Sequence, residues 1–273
     1  MPSNGLSDND LVREIRTTAD LIQASGDDPL IVWGAQGFAG GVRAWYDEDA
    51  VAVASPDLSK RDRLAVAGPA ESVARLAIDV LTEVGPSFRP FGDEKLLREL
   101  ADRVPGMEFS AAFGWMETRT SPTHQRRSIP PPHAQPSTRT TSGGDLMSAG
   151  GPAWLDDDAG IEELLTEASP ASYAWPGRTG VRRWAAVTGD GGELLSVAAD
   201  AWSAPEVGFL AGVATHPVAR GKGLSRQVCG FVTADLVGRH GRAALMVDAD
   251  NGAAIAVYQK LGYTYRPVAA AHF

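Results

Sequence analysis

A basic, glycine-rich turn near the C-terminus is the segment of this sequence best suited to chemistry. An apolar run over residues 213–215 leads to the turn 220–223, with the sequence Arg-Gly-Lys-Gly, and then to a stretch with helical spacing that starts at Leu224. Glycines allow a turn whose backbone N–H groups point inward, and the first turn of a helix adds unpaired N–H groups and a positive dipole end. The order strand, turn, helix therefore predicts a cradle for an anion such as a pyrophosphate.

Two common phosphate-binding motifs do not fit this turn. A nucleotide P-loop needs Gly-x4-Gly-Lys-Ser/Thr, whereas Lys222 is followed by Gly223, so the hydroxyl that would hold magnesium is missing. The dinucleotide fingerprint needs glycine or alanine where Arg226 stands, and no early βαβ unit with a ribose-binding acid is evident. A strand-to-helix turn without a ligand is the alternative, and the residues downstream favour the ligand.

Those downstream residues predict a helix, a strand and a second helix. Apolar residues recur at helical spacing from Leu224 to Leu236, and residues 243–247 form a short apolar run typical of a buried parallel strand. Asn251 then precedes a helical stretch that carries Tyr258. Seven residues separate these two, which is about two helical turns, so both side chains can face the same groove.

This succession resembles the acyl-CoA-binding half of the GCN5-related N-acetyltransferase (GNAT) superfamily. The superfamily motif Arg/Gln-x-x-Gly-x-Gly/Ala corresponds to Arg220, Gly223 and Ser225, and the serine still permits close approach while adding a hydroxyl donor. The resemblance implies an α/β (α+β) fold for residues 153–273, with a mixed central sheet flanked by helices. It also implies acetyl-CoA as the acyl donor substrate, without a metal, and direct attack by an amine.

The resemblance further implies a role for each matching residue. The backbone of the turn would hold the CoA pyrophosphate, and Arg220 and Lys222 would add positive charge. The strand end would offer backbone groups to the pantetheine amides, and Asn251 would contact the pantetheine, cap its helix, or do both. The expected cofactor-binding residues are Val213, Ala214, Thr215, Arg220, Gly221, Lys222, Gly223, Leu224, Ser225 and Asn251.

Two catalytic residues are predicted. Tyr258 is the candidate general acid, because a phenol with an ordinary pKa near ~10 can protonate the CoA thiolate as it leaves; a core tyrosine is the alternative. Glu206 is the first candidate for the general base, because it lies near the position where many GNAT proteins have a glutamate. Counting back from Arg220, however, that position corresponds to Val207, and a shift of one residue in a strand reverses the side-chain face. Weaker candidates for the base are Asp200, Asp248 and His216.

The segment between the first helix and the first long strands of this half would line the acceptor pocket. Its aromatic and basic residues suit a substrate with an apolar part and a carboxylate, although solvated surface arginines are the alternative. These residues are Tyr173, Trp175, Arg178, Arg182 and Arg183. The expected activity is N-acetylation of a primary amine on a small molecule. A protein or peptide N-acetyltransferase and a non-catalytic acyl-CoA sensor remain alternatives.

The rest of the chain divides into an N-terminal α/β domain over residues 1–118 and a flexible linker rich in Pro, Ser and Thr over residues 119–152. The N-terminal residues repeat the GNAT order of elements, but residues 68–72 contain one glycine and Glu71, which would repel a pyrophosphate. A degenerate, non-catalytic GNAT-like domain and an unrelated α+β domain both fit. Helices are expected at 8–24, 70–84, 93–103 and 155–168, and N-terminal strands at 30–34, 41–46, 50–54, 87–91 and 108–116.

The C-terminal half is short. Only ten residues follow Tyr263, which is enough for one strand where GNAT proteins usually place two. We therefore expect the N-terminal half, or a second subunit in a homodimer, to supply sheet or acceptor-pocket surface.

Composition narrows the partners and the compartment. The chain has 273 residues, of which 44% are apolar, and a net charge of −9, which argues against nucleic acid as a partner. No apolar run approaches the ~20 residues of a membrane span, so no membrane partner is expected and the cytoplasm is the expected compartment. Cys229 is the single cysteine, which excludes an intramolecular disulfide.

Overall fold

The computed structural model describes residues 12–122 and 149–273. Most of the predicted linker and the start of the predicted helix at 8–24 lie outside these residues. The first half contains β1 (Arg13–Ile15), α1 (Thr18–Ser25), α2 (Pro29–Ala35), β2 (Arg43–Asp47), β3 (Ala50–Ser55), β4 (Arg63–Ala67), α3 (Ala70–Val84), β5 (Arg89–Asp93), α4 (Glu94–Arg103) and β6 (Glu108–Thr118). The second half contains β7 (Ala153–Trp154), α5 (Ile161–Ala168), β8 (Val181–Thr188), β9 (Leu194–Ala201), β10 (Gly208–Thr215), α6 (Leu224–His240), β11 (Ala243–Asp248), α7 (Gly252–Lys260) and β12 (Thr264–His272).

These strands form one mixed sheet in the order β1-β2-β3-β4-β5-β12-β6-β11-β10-β9-β8-β7. In the first half, antiparallel strands lead to β4, which pairs in parallel with β5 across α3. In the second half, antiparallel strands lead to β10, which pairs in parallel with β11 across α6. The order of the first five strands is therefore the same in both halves, as a repeated α/β unit requires.

The last strand of each half lies among the strands of the other half. Strand β6 pairs with β11, strand β12 pairs with β5, and β6 and β12 pair with each other. The two halves consequently share one sheet, since neither presents its own closing strand. The N-terminal half thus supplies sheet to the short C-terminal half.

Helix α2 joins the two halves on the sheet face opposite α6. The Trp33 ring stacks on Phe209 of β10 with 4.6 Å between ring centroids, and its indole N–H donates to the Trp202 carbonyl at 2.8 Å. Phe209 and Leu210 point to opposite faces because side chains alternate along a strand. Phe209 lies in the cluster with Trp33, whereas Leu210 packs with the α6 side chains.

One predicted element has the wrong type of secondary structure, and two predicted helices begin later than expected. Residues 30–34 form helix α2 instead of a strand, because the Asp28 carboxylate accepts from the Leu30 N–H and Pro29 occupies the first helical position. The helix predicted at 155–168 begins only at Ile161, after Gly160 in the left-handed region, and the helix predicted at 8–24 begins at Thr18 after a short strand. The other predicted N-terminal helices and strands lie within a few residues of their observed positions.

In the ranges 12–122 and 149–273, no helix has both the length and the apolar character that a membrane crossing requires.

Candidate functional site

An opening between β10 and β11 lies next to the predicted anion cradle. The two strands pair only at Gly208 with Ala243 and at Phe209 with Ala244. Strand β11 then runs on to Asp248, paired along its whole length with β6, while β10 diverges from it. The edge of β10 that faces β11 therefore has no strand partner over residues 210–215 among the described residues. This is the strand end at which the resemblance implies backbone groups for the pantetheine amides.

A bulge bends β10 at the opening. The register with β9 shifts between Ala211 and Ala214, and Gly212 within the shift has a φ of +62°. A Cβ atom at Gly212 would lie 2.5 Å from the Trp184 ring, so backbone conformation and packing both require glycine there. Gly212 is absent from the sequence-based prediction, although a glycine inside an apolar strand is a known signal for a bulge.

The turn itself leaves open space and unpaired backbone N–H groups. Gly221 and Gly223 have φ values of +77° and +76°, and a Cβ atom at either would meet nothing within 4 Å. The backbone N–H groups of residues 221–226 have no acceptor in the part of the chain that the structure describes. They precede or begin the 17-residue helix α6, whose dipole is positive at this end. Six N–H donors without an acceptor among the described residues thus lie at the N-terminus of a helix.

The two basic residues of the turn differ in their contacts. Arg220 donates from Nε to the Thr215 carbonyl at 3.3 Å and from Nη2 to the Ala168 carbonyl at 3.4 Å. It therefore fixes the turn to the end of β10 and to the last residue of α5, while its charge stays at the turn. Lys222 is exposed, and within the described ranges its side chain contacts no partner. Its ammonium group can therefore reach a bound anion.

Tyr258 and Asn251 lie on and before α7. The Tyr258 ring is buried, 5.9 Å from the Tyr263 ring between centroids, and its hydroxyl has no hydrogen-bond partner among the described residues. Burial raises the pKa of the Tyr258 phenol well above its usual range, and neighbouring Cys229 and Tyr263 add to the rise. The Asn251 side-chain oxygen accepts from the Ala254 N–H at 3.1 Å and so caps α7. The capping role predicted for Asn251 is realised, and its side-chain NH₂ group remains available.

Glu206 lies away from the opening. It precedes β10, beyond the paired residues Gly208 and Phe209, and its Oε2 atom is buried without a hydrogen-bond partner in the described residues. The paired segment separates this carboxylate from the diverging ends of β10 and β11. The structure therefore does not bring Glu206 together with the cradle or with Tyr258.

The three weaker base candidates occupy different environments. Asp200 is buried at 1% exposure and accepts from Arg239 at 2.6 Å and from the Ser203 hydroxyl at 2.6 Å, so it belongs to an ion-pair network. His216 Nε2 lies 3.4 Å from a Glu167 carboxylate oxygen. Asp248 ends β11 and is exposed.

Asp248 shares a sheet face with the aromatic cluster around α2. It lies two residues after Met246 and opposite Phe113 of β6, and both of these pack in the cluster that contains Trp33. Because strand side chains alternate and cross-strand neighbours share a face, Asp248 points to this side as well. Of the four predicted base candidates, Asp248 is the one at the diverging end of β11.

Comparison with known proteins agrees with this architecture. Residues 190–270 match the family described as FR47-like protein. The chain is similar to a solved structure of a GCN5-related N-acetyltransferase from Sphaerobacter thermophilus, with 14% identity over 96% of this chain and 95% of that one and a TM-score of 0.54. It is also similar to a GCN5-related N-acetyltransferase-like protein from Streptococcus suis 89/1591, with 12% identity over 93% and 97% of the two chains and a TM-score of 0.53.

A tandem GNAT protein from the clavulanic acid biosynthesis pathway is similar too, with 14% identity, coverage of 95% and 97%, and a TM-score of 0.50. The sequence has no match among curated proteins. At these identities the likeness establishes the fold alone. It covers nearly the whole chain, so both halves take part in the shared architecture.

One buried thiol and two buried phenols close to α6 predict a loss of stability at alkaline pH. Burial raises the pKa of the Cys229 thiol from 9.0 to about 12, and the pKa values of Tyr258 and Tyr263 are raised for the same reason. Between pH 9 and 12 the unfolded chain has lost the Cys229 proton while the folded chain keeps it, so the free energy of unfolding falls as pH rises. Each such group contributes a slope of about 1.4 kcal/mol per pH unit.

We expect Cys229→Ala to remove most of that slope between roughly pH 9.5 and pH 10.5, and the tyrosines, which are present in both proteins, cancel in the comparison. Urea unfolding at closely spaced pH values measures it. An identical slope in the variant and the wild type would contradict the assignment.

Proposed function

We propose that this chain, whose fold is that of the GCN5-related N-acetyltransferases, transfers an acetyl group from acetyl-CoA to a primary amine of a small molecule. One observation carries the proposal: the unpaired N–H groups of residues 221–226 lie beside the unpaired edge of β10. Converging N–H groups at a helix N-terminus fit a pyrophosphate, and an open strand edge fits an extended chain with amide groups. CoA joins these two features in one molecule.

The residues at the turn and in β10 suit acetyl-CoA as the acyl donor. The left-handed glycines leave open space at the turn, and Lys222 supplies an exposed cation beside it. Acetyl-CoA would supply the thioester, whose carbonyl carbon an amine attacks. We infer that Gly212 and Val213, which fall outside the register with β9, would offer backbone N–H groups to the thioester carbonyl oxygen.

Tyr258 is suited to hold and deliver the proton of the leaving thiol. A phenol is protonated at neutral pH, and the Tyr258 hydroxyl has no other partner among the described residues. As the carbon–sulfur bond breaks, the phenol can donate to the sulfur. Tyr263 lies beside it but already shares a hydrogen bond with the Thr233 hydroxyl at 2.9 Å. The two tyrosines therefore form a matched pair for a test.

The amine must lose a proton before or during attack, and we assign its acceptor to Asp248 in preference to Glu206. Asp248 is exposed at the diverging end of β11, on the face opposite α6, where an acceptor can approach. Water can link its carboxylate to the amine. Helix α2 covers part of this face through the stacking of Trp33 on Phe209. That cover favours a small acceptor over a protein chain.

We expect acetyl-CoA with an amine panel to release free thiol, and Tyr258→Phe to lower kcat about 100-fold or more, because the thiolate loses its proton donor. Tyr263→Phe is the control: it should keep the rate and lose about 1 kcal/mol of stability with its hydrogen bond. A thiol-detecting reagent follows the reaction. Unchanged turnover in Tyr258→Phe would exclude the proposed acid. CoA binding without turnover of any amine would favour the sensor.

A second comparison in the same assay tests the base. We expect Asp248→Asn to lower kcat about 100-fold at neutral pH, because the amide cannot accept the amine proton, whereas Glu206→Gln leaves kcat within about twofold. A pH profile of both variants separates loss of a base from loss of fold. Full activity in Asp248→Asn combined with a defect in Glu206→Gln would reverse the assignment.

A further inference from the structure

A cluster of cations lies where the two halves meet, on the face of the sheet opposite α6. Lys60 and Arg63 come from the turn between β3 and β4 and from the start of β4, and Tyr173 and Arg178 come from the segment between α5 and β8. Lys60 Nζ donates to the Ser172 carbonyl at 3.2 Å and lies 5.3 Å from the centre of the Tyr173 ring. The pKa of Lys60 is lowered by burial and by the nearby charge of Arg178.

Arg63 is buried without a carboxylate partner in the described part of the chain. It is 8% exposed, its Nε donates to the Leu58 carbonyl at 2.8 Å, and its guanidinium lies 5.3 Å from the Phe91 ring centre. Burial lowers the pKa of Arg63 to about 10, so it stays charged at neutral pH. A buried cation is unfavourable unless an anion or several hydrogen bonds compensate it.

The neighbouring charges do not supply that compensation. The nearby charges of Arg61 and Arg89 also lower the pKa of Arg63, because both residues are positively charged. The Asp62 carboxylate accepts from the Asp57 N–H at 3.0 Å, within its own turn, and no ion pair joins it to Lys60 or Arg63 among the described residues. The cluster therefore carries unpaired positive charge.

The segment that carries Tyr173 packs against the bulge in β10. Ala174, which follows Tyr173, has its Cβ 3.1 Å from the position that a Cβ would take on Gly212. Trp184 touches the same position, so the segment that holds Tyr173 lies directly against the bulge. This segment therefore connects the cation cluster to the strand that borders the opening between β10 and β11.

We propose that Lys60, Arg63 and Arg178 bind a carboxylate of the acceptor, which makes the acceptor an amine of the amino-acid type. The inference rests on the proposed function, since it assumes that the amine reacts at the opening. The N-terminal half then supplies two of the three cations and determines which amine is accepted. Tyr173 offers an aromatic wall for an apolar side chain between the carboxylate and the opening.

Calorimetric binding tests this site without any need for turnover. The probes are a panel of α- and ω-amino acids, each paired with its carboxamide, titrated with CoA present and acetyl-CoA absent. We expect at least one carboxylate to bind about tenfold or more tighter than its amide, which is the effect of one charge-assisted hydrogen bond. The double variant Lys60→Gln/Arg178→Gln should lower the ratio about threefold or more, because Arg63 is then the only one of the three cations that remains. Arg103→Gln, an exposed charge at the end of α4, should leave it unchanged.

The double variant changes one partly exposed and one exposed side chain and leaves buried Arg63 in place. Equal binding of every pair, no binding of any carboxylate, or undiminished discrimination in the double variant would overturn the proposal. Discrimination without thiol release in the assay with acetyl-CoA would support the anion site and reject the proposed transferase. Acetylation of carboxamides as efficiently as of carboxylates would retain the transferase and reject the anion site.

Discussion

Strand β11 can part from β10 because β6 takes over its hydrogen bonds. A buried strand edge must be paired, since unpaired backbone N–H and C=O groups are costly away from water. Six residues of β11 pair with β6, from Ala243 to Asp248, whereas β10 retains only two pairs with β11. Because β6 pairs with β11, the diverging edge of β10 remains free for the hydrogen bonds of an extended ligand. The opening, the bulge and the cradle all lie along that edge.

The two halves share a topology and differ at the turn. Strands β4 and β5 also separate after Ala65 and Phe91, beside a cavity of about 340 Å³. At the corresponding turn, however, Gly68 has a φ of +131° and a Cβ there would lie 2.5 Å from the Asp49 carbonyl, so this backbone is packed instead of open. Glu71 adds a negative charge to the first turn of α3. We propose that the N-terminal half contributes sheet, cover and charge to the site of the other half.

Local features of the site could be predicted from the sequence, whereas features that depend on distant parts of the chain could not. The glycine turn and the cap at Asn251 follow from short-range backbone preferences. The fully apolar residues 30–34 carry no periodicity that separates helix from strand, and only the Asp28 cap and Pro29 decide for helix. The strand exchange, the position of Glu206 outside the opening and the approach of Lys60 to Tyr173 depend on contacts between residues far apart in sequence.

Amide hydrogen exchange on the full chain tests the central claim most directly, because the claim concerns specific backbone N–H groups. Saturating acetyl-CoA should slow exchange over residues 221–226 and along the free edge of β10, while residues 70–72 at the start of α3 keep their rates. Unchanged exchange at residues 221–226 with the ligand bound would contradict the account. Protection confined to the N-terminal half would contradict it as well.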